Sequence, residues 1–414
     1  MPEPRQYPFS EQERLDFDPL FAALREQEPV CRVRFPYGEP TWMATRYEDV
    51  KLVLTDSRFG CAAVLDHDEP RMQPVKNKGG ILTMDPPEHT RLRKLVAKAF
   101  TQRRVERLSP RVQEIADGLV DRMIESGSPV DVVADFALLF PITVVSELLG
   151  VPHEEQADLR AWSDAFMSTA GCAPEHTEDC MHRMSEYMAE LIERRRAEPE
   201  DDLISVLIQA RDEHDKLTEA EMVRLAVTLL VAGQETTATQ IVNFLYVLLT
   251  HPAEFEWLLA DLDRVPRAVE ELMRYIPLGT VGGFPRYARE DVELGGVTVR
   301  AGEPVVVDTR SANRDESVFD DGERLDLSRS DNAHLAFGHG AHFCIGAQLA
   351  RLMLQVGLRT LLDRLPGLRF AVDADDVAWK EGMILRGPAR LEIAWDSAGV
   401  LQGATRAGAG GGIR

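Results

Sequence analysis

Along most of the chain apolar residues recur every three to four positions, the spacing of helices with one buried face. Leu349, Leu352, Met353 and Val356 mark one such helix, which stops at Pro366-Gly367. The longest runs from about Thr218 to Leu249, a length suited to crossing the whole molecule. Thr218 and Glu221 form a capping-box pattern at its start, and His251-Pro252 ends it. Strand signals occupy two places. Val30 to Phe35 and Thr41 to Thr45 flank a Tyr37-Gly38 turn, and Val292 to Val299 folds back over Gly295-Gly296. These elements predict a mainly α fold with a small β region and no internal repeat. No Gly/Ser or Pro linker divides the chain, so residues 1–397 read as a single domain, followed by a glycine-rich disordered tail at 398–414.

Charge narrows the possible partners. A net charge of −22 argues against nucleic acid. The N-terminal stretch lacks the apolar core of a signal peptide, and the longest apolar run, around Leu225 to Val231, is far shorter than a membrane span. A soluble, cytoplasmic protein is expected. Five cysteines without paired spacing do not suggest a disulfide framework, and Cys31, Cys61, Cys172 and Cys180 read as ordinary thiols.

Cys344 is different. It lies in Phe337-Gly338-His-Gly340-Ala-His342-Phe-Cys344-Ile-Gly346, just before the helix that carries Leu349 and Leu352. At such a helix mouth the peptide dipoles and free N–H groups favour a thiolate. Gly338, Gly340 and Gly346 leave the backbone open to a flat, bulky partner. A buried free cysteine is one alternative. A zinc site of His339, His342 and Cys344 is another, although it wants a second ligand cluster that the sequence lacks. The longest helix also has an unusual centre, Ala232-Gly233-Gln234-Glu235-Thr236-Thr237. A glycine there costs about 1 kcal/mol relative to alanine, and a threonine hydroxyl can bond the preceding turn, so the segment is poorly chosen for stability alone.

The Cys344 segment, with Phe337, Gly338, Gly340, His342, Gly346 and Ala350, closely resembles the cysteine loop of the cytochrome P-450 family. The resemblance runs from about Tyr7 to Trp395. It implies the P-450 fold, with a long central helix over haem b and the cysteine loop beneath it. Cys344 is then the axial thiolate ligand, with Phe337, Gly338, His342 and Gly346 around it. Ala232 and Gly233 form the helix surface against the haem, and Glu235 with Thr236 delivers protons to bound O2. His89, Arg93, Arg286 and His342 match the propionate contacts. Glu271 and Arg274 match a structural Glu-x-x-Arg pair, for which Arg324 is the candidate third, basic member.

The resemblance is closest to actinobacterial monooxygenases that hydroxylate or epoxidise macrolides and related polyketides. A bulky hydrophobic small molecule is thus expected, lined by Leu82, Thr228, Val231, Ala232, Leu278, Val281, Met383 and Ile384. Electrons are expected from NAD(P)H through a ferredoxin reductase and a ferredoxin. The basic run Arg91, Lys94, Lys98, Arg103 and Arg104 is the candidate docking surface in an otherwise acidic chain. The remaining alternatives are another haem-thiolate redox enzyme, driven by peroxide or coupling substrates oxidatively, and a non-catalytic haem-binding helper.

Overall fold

A computed structural model describes residues 3–11, 13–76, 79–97, 100–169, 173–212, 217–280 and 283–396. Among these the molecule is mainly helical, with a small β portion, as the sequence pattern predicts. The central helix spans Glu219–Thr250, and Thr218 caps it with both halves of the capping box formed. Every residue from Thr237 to Leu248 is buried. A helix that is apolar all round belongs inside the protein.

Two apolar clusters pack around this helix. One joins Phe136, Phe140, Phe244, Leu349 and Leu358, and the other joins Leu149, Leu159, Met184, Leu225 and Leu230. The cysteine helix, Ala347–Arg364, packs against both the central helix and the helix Gln102–Ser126.

The hairpin Val30–Arg34 with Thr41–Ala44 forms in the expected place, and Thr41–Ala44 runs parallel to Pro304–Val307. Arg286–Ala288 pairs with Pro304–Val307 on one side and with Phe59–Gly60 on the other. That register matters for the site, because it brings Arg286 beside Cys61. Val292–Leu294 and Val297–Val299 form the second expected hairpin, with Gly295 and Gly296 at φ of +52° and +86°. A three-stranded sheet of Val130–Asp131, Glu392–Ala394 and Arg369–Phe370 is additional; strands this short carry too little alternation to be read from sequence. No helix among the described residues is long and apolar enough to cross a membrane. The expected tail at 398–414 lies outside the described residues.

Candidate active site

The cysteine loop is held by its own backbone. Gly338 N–H donates to Leu335 O at 2.9 Å, Cys344 N–H to Phe337 O at 2.8 Å and Phe343 N–H to Gly340 O at 3.1 Å. Gly340 is required by the chain itself, since its φ is +69° and a Cβ would lie 2.4 Å from the Leu54 carbonyl oxygen. Gly346 has an ordinary φ of −86°, and a Cβ there would meet no protein atom within 4 Å. Its openness therefore serves something other than the fold.

The Gly346 N–H hydrogen-bonds the Cys344 sulfur, and Arg93 and Arg351 also favour the anion. Burial nevertheless outweighs them and raises the thiol pKa. This reverses the net direction expected from the helix mouth alone. A thiolate in this position needs the opposing charge of a metal, which deprotonates a coordinating thiol outright.

The central helix presents one open face. Ala232 is exposed and Gly233 and Thr236 are half-buried, although the helix is covered on both sides of them. Their three- and four-residue spacing places them on one side. Thr236 Oγ1 donates to Ala232 O at 2.7 Å, and the helix continues unbroken through Gly233. Glu235 points elsewhere. It is 1% exposed, its Oε1 meets Lys380 Nζ, and Thr239 Oγ1 donates to it at 3.2 Å. Lys380 is a partner that sequence spacing could not reveal, because it lies 145 residues away.

A third group gathers hydrogen-bonding side chains, one of which, Arg286, keeps a buried unpartnered donor. His89 is buried on the helix Glu88–Ala97, with its ring 4.1 Å from that of His342. Arg93, one turn further along, donates to Phe343 O. Arg286 donates from Nη1 to Cys61 Sγ at 3.0 Å, while its buried Nε has no hydrogen-bond partner among the described residues. Burial, followed by repulsion from Arg286 and His89, pushes the His342 pKa down to about 3. Burial and then Arg93 lower that of His89.

The neighbouring carboxylate, Asp85, is already engaged by the Cys61 and Ala62 N–H groups at 2.9 and 3.0 Å and by Arg289 at 2.8 Å. Four converging donors that repel one another fit an anionic ligand carrying carboxylates. Cys61, read as an ordinary thiol, is part of this rim. Its sulfur, an Asp85 oxygen and a His342 nitrogen lie within 4.8 Å of one another. With a guanidinium on the sulfur, the trio is a poor divalent-metal site. The zinc set His339, His342 and Cys344 does not gather among the described residues.

The buried Glu-x-x-Arg pair forms as expected, with Arg274 Nη2 2.8 Å from Glu271 Oε1 and both side chains fully buried. Its third member is Arg329, not Arg324. Arg329 Nε lies 3.2 Å from Glu271 Oε2 with the side chain 10% exposed. The Arg324 guanidinium is 60% exposed beside Asp321 and Asp326, and only its carbonyl reaches Arg274, at 2.9 Å. Asn332 and the Asp326 N–H complete the carboxylate, each at 2.9 Å. An exposed guanidinium keeps its hydration, whereas a buried carboxylate recruits the cation that can be buried with it.

The expected substrate positions are partly assembled. Ile384 N–H donates to Met167 O at 2.9 Å, Thr280 N–H to Ile384 O at 2.8 Å and Arg386 N–H to Leu278 O at 2.8 Å, so Leu278, Met383 and Ile384 share one clamped segment. Val231 packs in the apolar cluster that Met383, Ile384 and Ile345 also join. Ile81, Met84 and Leu229 join that cluster without having been expected. Thr228 is half-buried with its hydroxyl on Arg224 O, and Leu82 is 40% exposed. Val281 and Lys98 lie outside the described residues. Of the basic run, Lys94 and Arg103 are exposed, Arg104 lies 3.9 Å from Asp201, and Arg91 is paired with Glu221.

An open helix face, a cysteine loop with unfilled space at Gly346, and an anion-seeking rim are compatible with a haem-thiolate site. The chain belongs to the cytochrome P-450 family, whose description matches residues 18–268 and 257–375. It is a P-450 monooxygenase, and the family's cofactor is haem b with a cysteine thiolate ligand. It is 52% identical over 393 residues to the mycinamicin IV hydroxylase/epoxidase of Micromonospora griseorubida, covering 95% of this chain and 99% of that protein. It is 50% identical over 393 residues to the nocardicin C N-oxygenase of Nocardia uniformis subsp. tsuyamanensis, covering 94% and 98%. Among solved structures, HinD with NMFT and NO superposes with a TM-score of 0.92 at 46% identity, covering 95% of this chain and all of that one. A variant of the mixed-function P-450 MycG in complex with mycinamicin IV gives 0.89 at 52% identity, covering 95% of this chain and all of that one.

Proposed function

We propose that the chain inserts one oxygen atom from O2 into a macrolide or related polyketide, by hydroxylation, epoxidation or both, with Cys344 as the thiolate that would hold the haem iron. The haem supplies the redox chemistry that activates oxygen. The protein supplies charge, shape and protons. Gly346 leaves room for the macrocycle and donates its N–H to the sulfur. His89, Arg93, Arg286 and His342 would hold the propionates with charge-assisted hydrogen bonds. Ala232 and Gly233 give the central helix a low surface there, and Thr236 offers its hydroxyl on the same face, with Glu235 one position earlier as the acid. Glu271, Arg274 and Arg329 hold the scaffold behind the site.

Val231, Met383 and Ile384, which share one apolar cluster, together with Leu278, whose carbonyl is bonded by Arg386 N–H, would supply an apolar lining suited to a bulky ligand held mainly by shape. Likeness to the mycinamicin IV hydroxylase/epoxidase supports a macrolide. Electrons arrive from NAD(P)H by way of a ferredoxin on the face carrying Lys94, Arg103 and Arg104, in the cytoplasm. The observation that carries the reading is the unfilled space before Gly346 beside a cysteine whose burial disfavours a free thiolate.

A spin-state titration with macrolides, linear polyketides and nocardicin C tests the substrate class. Macrolides are expected to shift the iron to high spin at micromolar concentration. Response to nocardicin C alone would overturn the macrolide assignment.

A further inference from the structure

Arg286 keeps one buried donor open, and a sulfur holds the rest of it in place. The side chain is 7% exposed, its Nη1 donates to Cys61 Sγ at 3.0 Å, and its Nε has no hydrogen-bond partner among the described residues. A buried guanidinium is ordinarily matched by a carboxylate. Here its partner is a thiol. Asp85, the carboxylate gathered with Cys61 and His342, is turned instead to the N–H groups of Cys61 and Ala62 and to Arg289.

Cys61 is itself firmly placed. Its N–H is bonded to Asp85 Oδ1 at 2.9 Å, the strand just before it pairs with Arg286–Ala288, and its sulfur lies 3.7 Å from His342 Nε2. One sulfur therefore touches two of the four groups that converge on the rim. Burial raises the Cys61 thiol pKa, against the pull of Arg286, so the group stays uncharged. A neutral thiol accepts a weak hydrogen bond without contributing an anion, and a guanidinium never loses its own proton. Arg286 is thus oriented while its charge stays available. A carboxylate at position 61 would hold it as well but would answer that charge before any ligand arrived.

We propose that Cys61 is a positioning residue of the haem site, its uncharged sulfur fixing Arg286 beside His342 so that the guanidinium meets a propionate with its charge unanswered. This rests on the haem-thiolate reading above and adds to it a residue that neither spacing nor motif singled out. No bond forms or breaks in this role. Residue types that keep an uncharged acceptor at position 61 should preserve it, and a charged one should not.

The test is haem transfer from the loaded enzyme to a scavenging apoprotein, followed by absorbance and independent of turnover. Cys61→Ser keeps a neutral acceptor and is expected within about 2-fold of the wild-type rate, whereas Cys61→Ala leaves Nη1 unpaired and should transfer haem about 10-fold faster. Cys61→Asp makes the stronger hydrogen bond yet neutralises Arg286, so it should lose haem at least as fast as Cys61→Ala. In an Arg286→Ala background, Cys61→Ala is expected to change the rate by less than about 2-fold, because both substitutions remove the same contact. Equal acceleration in the two backgrounds, a serine variant as fast as the alanine one, or an aspartate variant slower than wild type would overturn the role. If Cys61→Asp yields no haem-loaded protein, the serine and alanine variants in the two backgrounds decide. Absence of a thiolate-type carbon monoxide band in the wild type would instead refute the haem-thiolate reading itself, whereas additive effects with that band intact refute the role of Cys61 alone.

Discussion

Replacing Arg274 with alanine should cost far more than its position on a short helix implies. The guanidinium donates to both oxygens of Glu271 at 2.8 Å, to the carbonyls of Asn313 and Gly322 at 2.7 Å and to that of Arg324 at 2.9 Å. Removing it strands three backbone acceptors and leaves a fully buried carboxylate with only Arg329, Asn332 and one N–H. Loss of one member of a buried pair costs about 3–5 kcal/mol, a large part of the roughly 5–15 kcal/mol that holds a folded protein together. Arg329→Ala should cost less than about 3 kcal/mol, since this cation lies beside Glu271 as an ion-pair neighbour without a formed hydrogen bond, and Glu271 keeps Arg274. Arg324→Ala removes an exposed side chain and should cost at most about 1 kcal/mol. Denaturant unfolding of the haem-loaded variants, followed by circular dichroism, gives the order directly. Equal losses for Arg324→Ala and Arg329→Ala would refute the assignment of Arg329 as the third member.

The two loop glycines should separate fold from cofactor. Gly346→Val is expected to leave unfolding of the haem-free chain within about 0.5 kcal/mol of wild type while sharply lowering haem retention, since no protein atom lies near the added side chain. Gly340→Ala meets the Leu54 carbonyl in a left-handed conformation and should cost about 1–3 kcal/mol in the chain itself; the reverse ranking by chemical unfolding would contradict the fit. Arg286→Ala removes a buried partner of the propionates, worth about 2–5 kcal/mol when the other charge stays buried, so haem transfer to a scavenging apoprotein should speed up by about 30-fold or more. Lys94→Glu with Arg104→Glu should slow reduction by ferredoxin and flatten its salt dependence, and an unchanged salt profile in stopped-flow reduction would exclude that face.

Local signals account for what was legible in the sequence. The capping box at Thr218 and Glu221 located the central helix to within one residue because both partners lie within one turn. The cysteine loop and the rim residues were found through motifs whose members are close in sequence, apart from Arg286. Long-range choices were not legible. Arg324 and Arg329 both precede the cysteine loop, and only burial against Glu271 distinguishes them. Lys380 reaches Glu235 from a distant segment, and Cys61 joins the rim through a strand pairing between Phe59–Gly60 and Arg286–Ala288. The thiol pKa went the other way because the helix N-terminus is a local term, whereas desolvation depends on everything packed over the sulfur.

The central claim is that Cys344, rather than the nearby Cys61, carries the iron. The ferrous carbon monoxide difference spectrum of the wild type, Cys344→His and Cys61→Ser tests it most directly. A thiolate-type red-shifted Soret band is expected in the wild type and in Cys61→Ser, abolished in Cys344→His. A histidine-type band in the wild type, or a thiolate band that survives Cys344→His and disappears with Cys61→Ser, would contradict it.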